Sequence, residues 1–128
     1  MTRILTALGS LTLLVTAGLH MTGLQLVQDA TGKIEMAFLR DALSAMWVMP
    51  SIHWLLIACL AFGCSFYRSR ACAAMLIAFG VWILIDALIV FSHVGMFIGA
   101  ITLSAAGLCY LIAGFMLRSS ILKERKIN

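Results

Sequence analysis

The 128-residue chain has little charge: Asp, Glu, Lys and Arg make up 11% of it, whereas soluble domains carry about 25%. It has a single proline, and hydrophobic residues account for 63% of the chain. The scarcity of charge excludes a soluble globular domain, and the long uncharged runs leave nothing from which to build a β-sandwich or barrel. The composition therefore predicts one all-α integral membrane domain that covers residues 1–128.

The chain also lacks the motifs of common enzymes and metal-binding modules. Its four cysteines include no C-x-x-C pair, which excludes a zinc ribbon or a dithiol redox motif, so we interpret them as small apolar fillers. No serine lies in a nucleophile-elbow motif, and neither a phosphate-binding loop nor a pair of catalytic carboxylates is present. The sequence therefore predicts no catalytic residue and favours a role other than catalysis.

The spacing of the charges predicts four transmembrane helices, since about 20 apolar residues cross a bilayer. The first apolar run extends to Leu26, which suits a membrane span better than a cleaved signal peptide. Between residues 71 and 117 the only formal charge is Asp86, and this run suits two spans joined by a turn at 92–95. The predicted spans are 4–26, 47–67, 71–92 and 95–117, followed by a basic tail at 118–128.

The connection between the first two spans predicts a short amphipathic helix at 32–46 that lies along the membrane surface. Charged side chains cluster on one face of this helix, and Trp47 and Trp54 follow as interface anchors. Two interpretations of the helix are open, a simple connector or a lid over a site beneath it. Pro50 is predicted in the first turn of the next span. The apolar face consists of Ile34, Phe38, Ala42 and Ala45.

Basic residues predict the orientation of the chain. Lys and Arg concentrate before span one, between spans two and three, and after span four. Because such residues favour the cytoplasmic side, both termini are predicted to be cytoplasmic. The layout is similar to that of small bacterial inner-membrane proteins. This resemblance implies a location in the inner membrane but no roles for particular residues. We expect no nucleic-acid partner, since a few cations beside a membrane serve as topology anchors.

Small residues recur along the predicted fourth span. They let helices approach closely where no hydrophobic effect drives the helices together. The pattern predicts a tightly packing face, which serves either within the bundle or against a second copy or a larger membrane partner. The sequence predicts contact with the lipid bilayer, but it does not decide between these protein partners. The residues expected in this role are Gly95, Gly99, Gly107 and Gly114.

The polar residues that lipid tolerates least all fall near the predicted outer side. Asp86 lies about 5 Å outward of the middle of span three. His20 ends span one, His53 opens span two, and His93 ends span three on the same helical face as Asp86. An ionised acid at this depth costs at least about 2.5 kcal/mol on insertion scales, so it needs partners. The sequence predicts a polar pocket of Asp86, the three histidines and Thr16, which belongs to a polar stripe that ends at His20.

Four interpretations of this pocket are open. The set His20, His53, Asp86 and His93 suits a metal ion, because imidazoles and a carboxylate are common metal ligands. Two histidines at similar depth, His20 and His53, suit a haem clamped between helices. Asp86 with imidazole relays suits proton-linked transport of a small solute. In the fourth interpretation, Asp86 is a clasp that sets helix register in a non-catalytic accessory subunit by hydrogen-bonding to Thr16, His20 or Ser104.

Overall fold

The computed structural model describes residues 1–127, with side chains as far as Arg125. The described residues form helices and no strand. Four helical stretches are long and apolar enough to cross a membrane, so the predicted all-α, four-helix membrane protein is confirmed. In chain order the helices are α1 (Thr2–Thr22), α2 (Leu24–Thr31), α3 (Ala37–Cys64), α4 (Arg70–Val94) and α5 (Ile98–Ile127). The first spanning stretch combines α1 and α2.

The helices pack in the order α3, α1, α5, α4. The contact between α4 and α5 is the most extensive, whereas α3 and α4 touch sparsely along what we call the α3–α4 seam. Arg68 between α3 and α4 forms an ion pair of 2.7 Å with Glu124 of α5, so that connection lies at the same end of the bundle as the carboxyl terminus. We call the opposite end, which contains residue 23 and the turn after α4, the distal end.

A chain of buried hydrogen bonds links three of the helices. Tyr110 of α5 is fully buried, and its hydroxyl donates to Ser10 Oγ of α1 at 3.1 Å. Ser10 Oγ in turn donates to the carbonyl oxygen of Ala58 on α3 at 3.0 Å. Gly9 permits this packing, because a Cβ there would lie 3.0 Å from the Tyr110 ring. Every polar group in this core contact therefore has a partner without reaching lipid.

The α4–α5 contact depends on glycines from both helices. A Cβ on Gly107 would lie 2.8 Å from Leu84 Cγ and 3.0 Å from the Gly80 carbonyl oxygen. A Cβ on Gly114 would lie 2.7 Å from Ile77 Cγ1. Gly107 and Gly114 therefore pack within the bundle, which is the first of the two roles expected for the small residues of this span.

Gly95 and Gly99, which were expected in the same packing face, lie elsewhere. Gly95 has a φ of +86° in the turn after α4, a conformation that favours glycine because it has no Cβ. The atoms nearest to a Cβ on Gly99 belong to the ring of Phe97, two residues earlier, at 2.7 Å. Neither glycine contacts another helix in the way that Gly107 and Gly114 do, because the turn begins at Gly95 and α5 only at Ile98.

The boundaries at the distal end differ from the predicted ones. The short helix α2 continues the first spanning stretch. The predicted helical segment 32–46 consists instead of a non-helical connection followed by the start of α3 at Ala37. Residues 37–47 contain no glycine or proline that would end a helix, so α3 continues without a break through Met46 and Trp47. Pro50 lies inside α3 rather than in its first turn, and its missing N–H leaves the Met46 carbonyl without its usual helical donor.

The other two boundary differences are smaller. The predicted turn at 92–95 begins only at Gly95, because α4 continues to Val94. The predicted basic tail, 118–128, continues α5 as helix as far as Ile127, and Asn128 lies outside the described residues. Both differences extend helices beyond the predicted span: α4 continues as far as the residue before Gly95, and residues 118–127 contain no glycine or proline that would end α5.

Candidate functional site

Asp86 bridges the α3–α4 seam. It lies eight residues before the end of α4, or about 12 Å along the helix axis. Its Oδ2 accepts a hydrogen bond from Trp54 Nε1 at 2.8 Å, and His53 Nε2 lies 3.0 Å from the same oxygen. Both partners belong to α3. The carboxylate therefore connects two helices across the α3–α4 seam. Its hydrogen-bond partners differ from those expected for the clasp, which were Thr16, His20 or Ser104.

Trp54 is the residue of this site that the sequence analysis missed. Its side chain is only 5% exposed, and its ring centroid lies 5.3 Å from that of His20 and 5.9 Å from that of His53. A buried indole N–H needs an acceptor, and Asp86 is the only acid between residues 71 and 117. That requirement is the signal that connects Trp54 to Asp86 from sequence.

His20 packs against two indole rings but forms no side-chain hydrogen bond. Its ring centroid lies 4.2 Å from that of Trp47. Its Nε2 is buried without a partner among the described residues. The backbone around it is fixed, because Trp47 Nε1 donates to the His20 carbonyl oxygen at 3.1 Å. Gly23 allows this approach, since a Cβ there would lie 2.7 Å from Trp47 Cζ2. His20 is thus a positioned imidazole with unused hydrogen-bonding capacity.

The imidazole of His20 lines a cavity of about 370 Å³ at the distal end, to which α1, α3, α4 and α5 all contribute. No formally charged residue is among those that line it, and neither Asp86 nor His53 reaches its wall. Trp54 belongs both to the wall and to the Asp86 bridge. The other lining residues are Thr16, Leu19, Thr22, Gly23, Trp47, Pro50, Val90, Val94, Phe97, Ile98, Gly99, Thr102 and Leu103.

Besides His20, two predicted members of the polar pocket, His93 and Thr16, form no hydrogen bond with Asp86. His93 is exposed, and its Nδ1 lies 2.9 Å from the Ile89 carbonyl oxygen in its own helix. Although Asp86 and His93 share a helical face, seven residues separate them by about 10 Å along the axis. Thr16 Oγ1 donates to the Thr12 carbonyl oxygen at 2.8 Å, a local bond that threonine commonly forms in helices.

The four predicted metal ligands are not assembled around one point. Of this set, His53 and Asp86 form the one direct contact. Among the described residues, no group of three or more His, Cys, Asp and Glu side chains has an arrangement that could hold a metal ion. His20 packs against the ring of Trp54 and not against the Asp86 carboxylate.

Comparison with protein families, curated proteins and solved structures finds no match to this chain. The protein is a small multi-pass membrane protein, as its four long apolar helices indicate. Its role must therefore be inferred from the chemistry of its own residues, above all the Asp86 bridge and the cavity beside His20.

Proposed function

We propose that this protein binds a small, uncharged, ring-containing molecule of the membrane in the distal cavity, with His20 as its polar anchor. The observation that carries the proposal is His20, which lines a largely apolar cavity and whose buried Nε2 has no hydrogen-bond partner among the described residues. Buried polar groups are nearly always hydrogen-bonded, and an exception calls for a ligand or another explanation. A bound hydroxyl or carbonyl group would satisfy the imidazole.

The size and lining of the cavity indicate the chemistry of the ligand. A volume of about 370 Å³ is at the lower end of the range for small-molecule sites, about 300–1,000 Å³. Because no charged side chain lines it, a charged ligand would be desolvated without compensation. Aromatic side chains of Trp47, Trp54 and Phe97 form part of the wall, and such faces favour flat rings.

In this proposal the Asp86 bridge keeps the cavity wall in place. Trp54 contributes to the wall, and its indole N–H is held by Asp86 Oδ2. The bridge thus acts through Trp54 and does not itself contact the ligand. The predicted orientation, with both termini in the cytoplasm of a bacterial cell, would open the cavity toward the outer side of the inner membrane.

The positions of the candidate ligand side chains give less support to the other interpretations of the pocket. A metal ion or a haem would need ligands that converge, whereas His93 bonds within α4 and His20 and His53 each pack against Trp54. Proton-linked transport stays a prediction based on the depth of Asp86 alone. The metal and haem interpretations would regain support if the purified protein carried a stoichiometric metal or a Soret absorption band.

A second candidate function is that of a non-catalytic accessory subunit of a larger membrane complex. The observation that favours it is the pair of interactions at Asp86 Oδ2, which lie across the sparsely packed α3–α4 seam. In that role the bridge only sets helix register, and the cavity is an unfilled packing defect. The two candidates differ in whether the cavity takes up a small molecule.

The test uses menadione, an uncharged bicyclic quinone that quenches indole fluorescence, with the Trp82→Phe protein in lipid nanodiscs. The remaining indoles, Trp47 and Trp54, both line the cavity. We expect saturable quenching, and His20→Phe should weaken it up to about tenfold, because a net hydrogen bond of about 0.5–1.5 kcal/mol is lost.

The matched control is His93→Phe, the same change at an exposed histidine that does not line the cavity. It should leave the binding curve unchanged. Quenching that rises linearly with menadione, as simple partition into lipid would produce, would contradict a cavity site. Equal binding by the His20→Phe and His93→Phe proteins would contradict the role of His20.

A further inference from the structure

Three hydrogen-bonding groups on the outer surface of the α3–α4 seam have no partner among the described residues. Both bonds to Asp86 end on Oδ2, which leaves Oδ1 unused. His53 bonds through Nε2 only, and Trp82 Nε1 forms no bond. Among the described buried side-chain nitrogen and oxygen atoms, only His20 Nε2 is unpartnered, so Asp86 Oδ1 reaches the surface. We call these residues, His53, Trp82 and Asp86, the seam patch.

The seam patch lies where the bilayer offers no water. Trp82 is twelve residues from each end of α4, or about 18 Å, and its side chain is 58% exposed. Membrane tryptophans concentrate at the interfaces, where their N–H group meets water or headgroups. The side chains of His53 and Asp86 are 35% and 18% exposed. In a lone copy of the protein, these donors and acceptors would face acyl chains.

We propose that a second copy of this chain covers the seam patch, so that the protein forms a two-fold symmetric dimer in the membrane. The patch contains an unused donor, the Trp82 indole N–H, and an unused acceptor, Asp86 Oδ1, one helical turn apart. It is therefore complementary to itself. In a two-fold contact each Trp82 donates to the carboxylate of the other copy, so that the Trp82 indole N–H and Asp86 Oδ1 of both copies gain a partner.

The shape of the surrounding surface fits this arrangement. Ala78, Val81 and Ile85 line a shallow depression beside Trp82, and the small side chain of Ala78 permits a close approach of another helix. The sparse contact between α3 and α4 leaves room for a side chain from outside. Two copies inserted with the same orientation present their patches at the same depth, as a two-fold axis along the membrane normal requires.

The test is Förster transfer between donor-labelled and acceptor-labelled full-length protein in phosphatidylcholine vesicles over a series of dilutions in lipid. We expect dimers in the wild type. Trp82→Phe keeps the aromatic volume and removes the N–H, and it should weaken dimerisation about tenfold, since two symmetry-related bonds are lost. Asp86→Leu should weaken it at least as much. The control is Phe115→Leu on the exposed face of α5, which should leave transfer unchanged.

Two results would overturn the proposal. One is a wild-type protein that stays monomeric at protein-to-lipid ratios of about one to a hundred. The other is dimerisation that Trp82→Phe does not weaken, which would show that copies meet through another face. Trp82→Phe is informative even if Asp86→Leu fails to fold, because Trp82 makes no hydrogen bond within the bundle. Crosslinking from position 82 to a different membrane protein, with no homodimer, would assign the patch to a heterologous partner and would also overturn it.

Discussion

Asp86 depends on two adjacent residues of α3 for its hydrogen bonds, and this dependence makes its replacement informative. Asp86→Leu would leave the buried N–H of Trp54 without an acceptor, at a cost of about 1–3 kcal/mol in the free energy of unfolding. Asp86→Asn keeps a side-chain oxygen and should cost less. Unfolding in mixed detergent micelles, followed by circular dichroism, measures both changes.

The control for this prediction is Asp41→Leu, the same chemical change at an exposed carboxylate. It should alter the free energy of unfolding by less than about 0.5 kcal/mol, as surface substitutions usually do. If Asp86→Leu were no more destabilising than Asp41→Leu, the bridge across the α3–α4 seam would not contribute to the free energy of unfolding.

Single residues show where prediction from sequence succeeds and where it ends. Asp86 and His53 were expected together because their depths in the membrane match, and depth can be read from the sequence. The partners of His93 and Thr16 were not predictable in this way, because each bonds a carbonyl of its own helix. Trp54 was assigned to the interface, although a buried indole N–H requires an acceptor.

At the scale of elements, the α4–α5 contact is the part of the bundle most sensitive to side-chain size. A Cβ on Gly107 would lie 3.0 Å from a backbone oxygen, that of Gly80, so the helices would have to separate. We expect Gly107→Ala to lower the free energy of unfolding by about 1–3 kcal/mol, the usual cost of overpacking. Steric trapping or detergent titration measures it.

Gly18→Ala is the matched comparison for Gly107→Ala. Gly18 also lies inside a helix, but a Cβ there would meet nothing within 4 Å. Alanine has the higher helix propensity by about 1 kcal/mol, so this change should leave stability unchanged or raise it. Equal destabilisation by both substitutions would contradict a specific role of the α4–α5 contact in the response.

The helices themselves were predictable to a large extent, because runs without charge have few solutions in a membrane. Their ends were less so. The start of α3 at Ala37 follows from the absence of a helix breaker before Trp47, whereas Pro50 suggested a helix start ten or so residues later. Proline is tolerated inside α3, which shows that one missing N–H does not decide a boundary.

At the scale of the whole molecule, the sequence predicts the number of spans but not which helices are neighbours. Apolar residues on all faces of a membrane helix remove the amphipathic signal that would orient it. The packing order is set by specific contacts instead, such as Gly107 in the α4–α5 contact and the bond from Tyr110 to Ser10. The cavity beside His20 results from that order and could not be read from any single helix.

The bridge from α3 to Asp86 can be measured directly in the wild-type protein by solid-state NMR in lipid bilayers. With indole ¹⁵N and aspartate ¹³C labels, we expect a dipolar contact between Trp54 Nε1 and the Asp86 carboxyl carbon. The Trp54 N–H signal should also shift in the Asp86→Leu protein, while that of Trp47, bonded to the His20 carbonyl, stays in place. The absence of that dipolar contact, with a Trp54 signal unchanged by Asp86→Leu, would contradict the account.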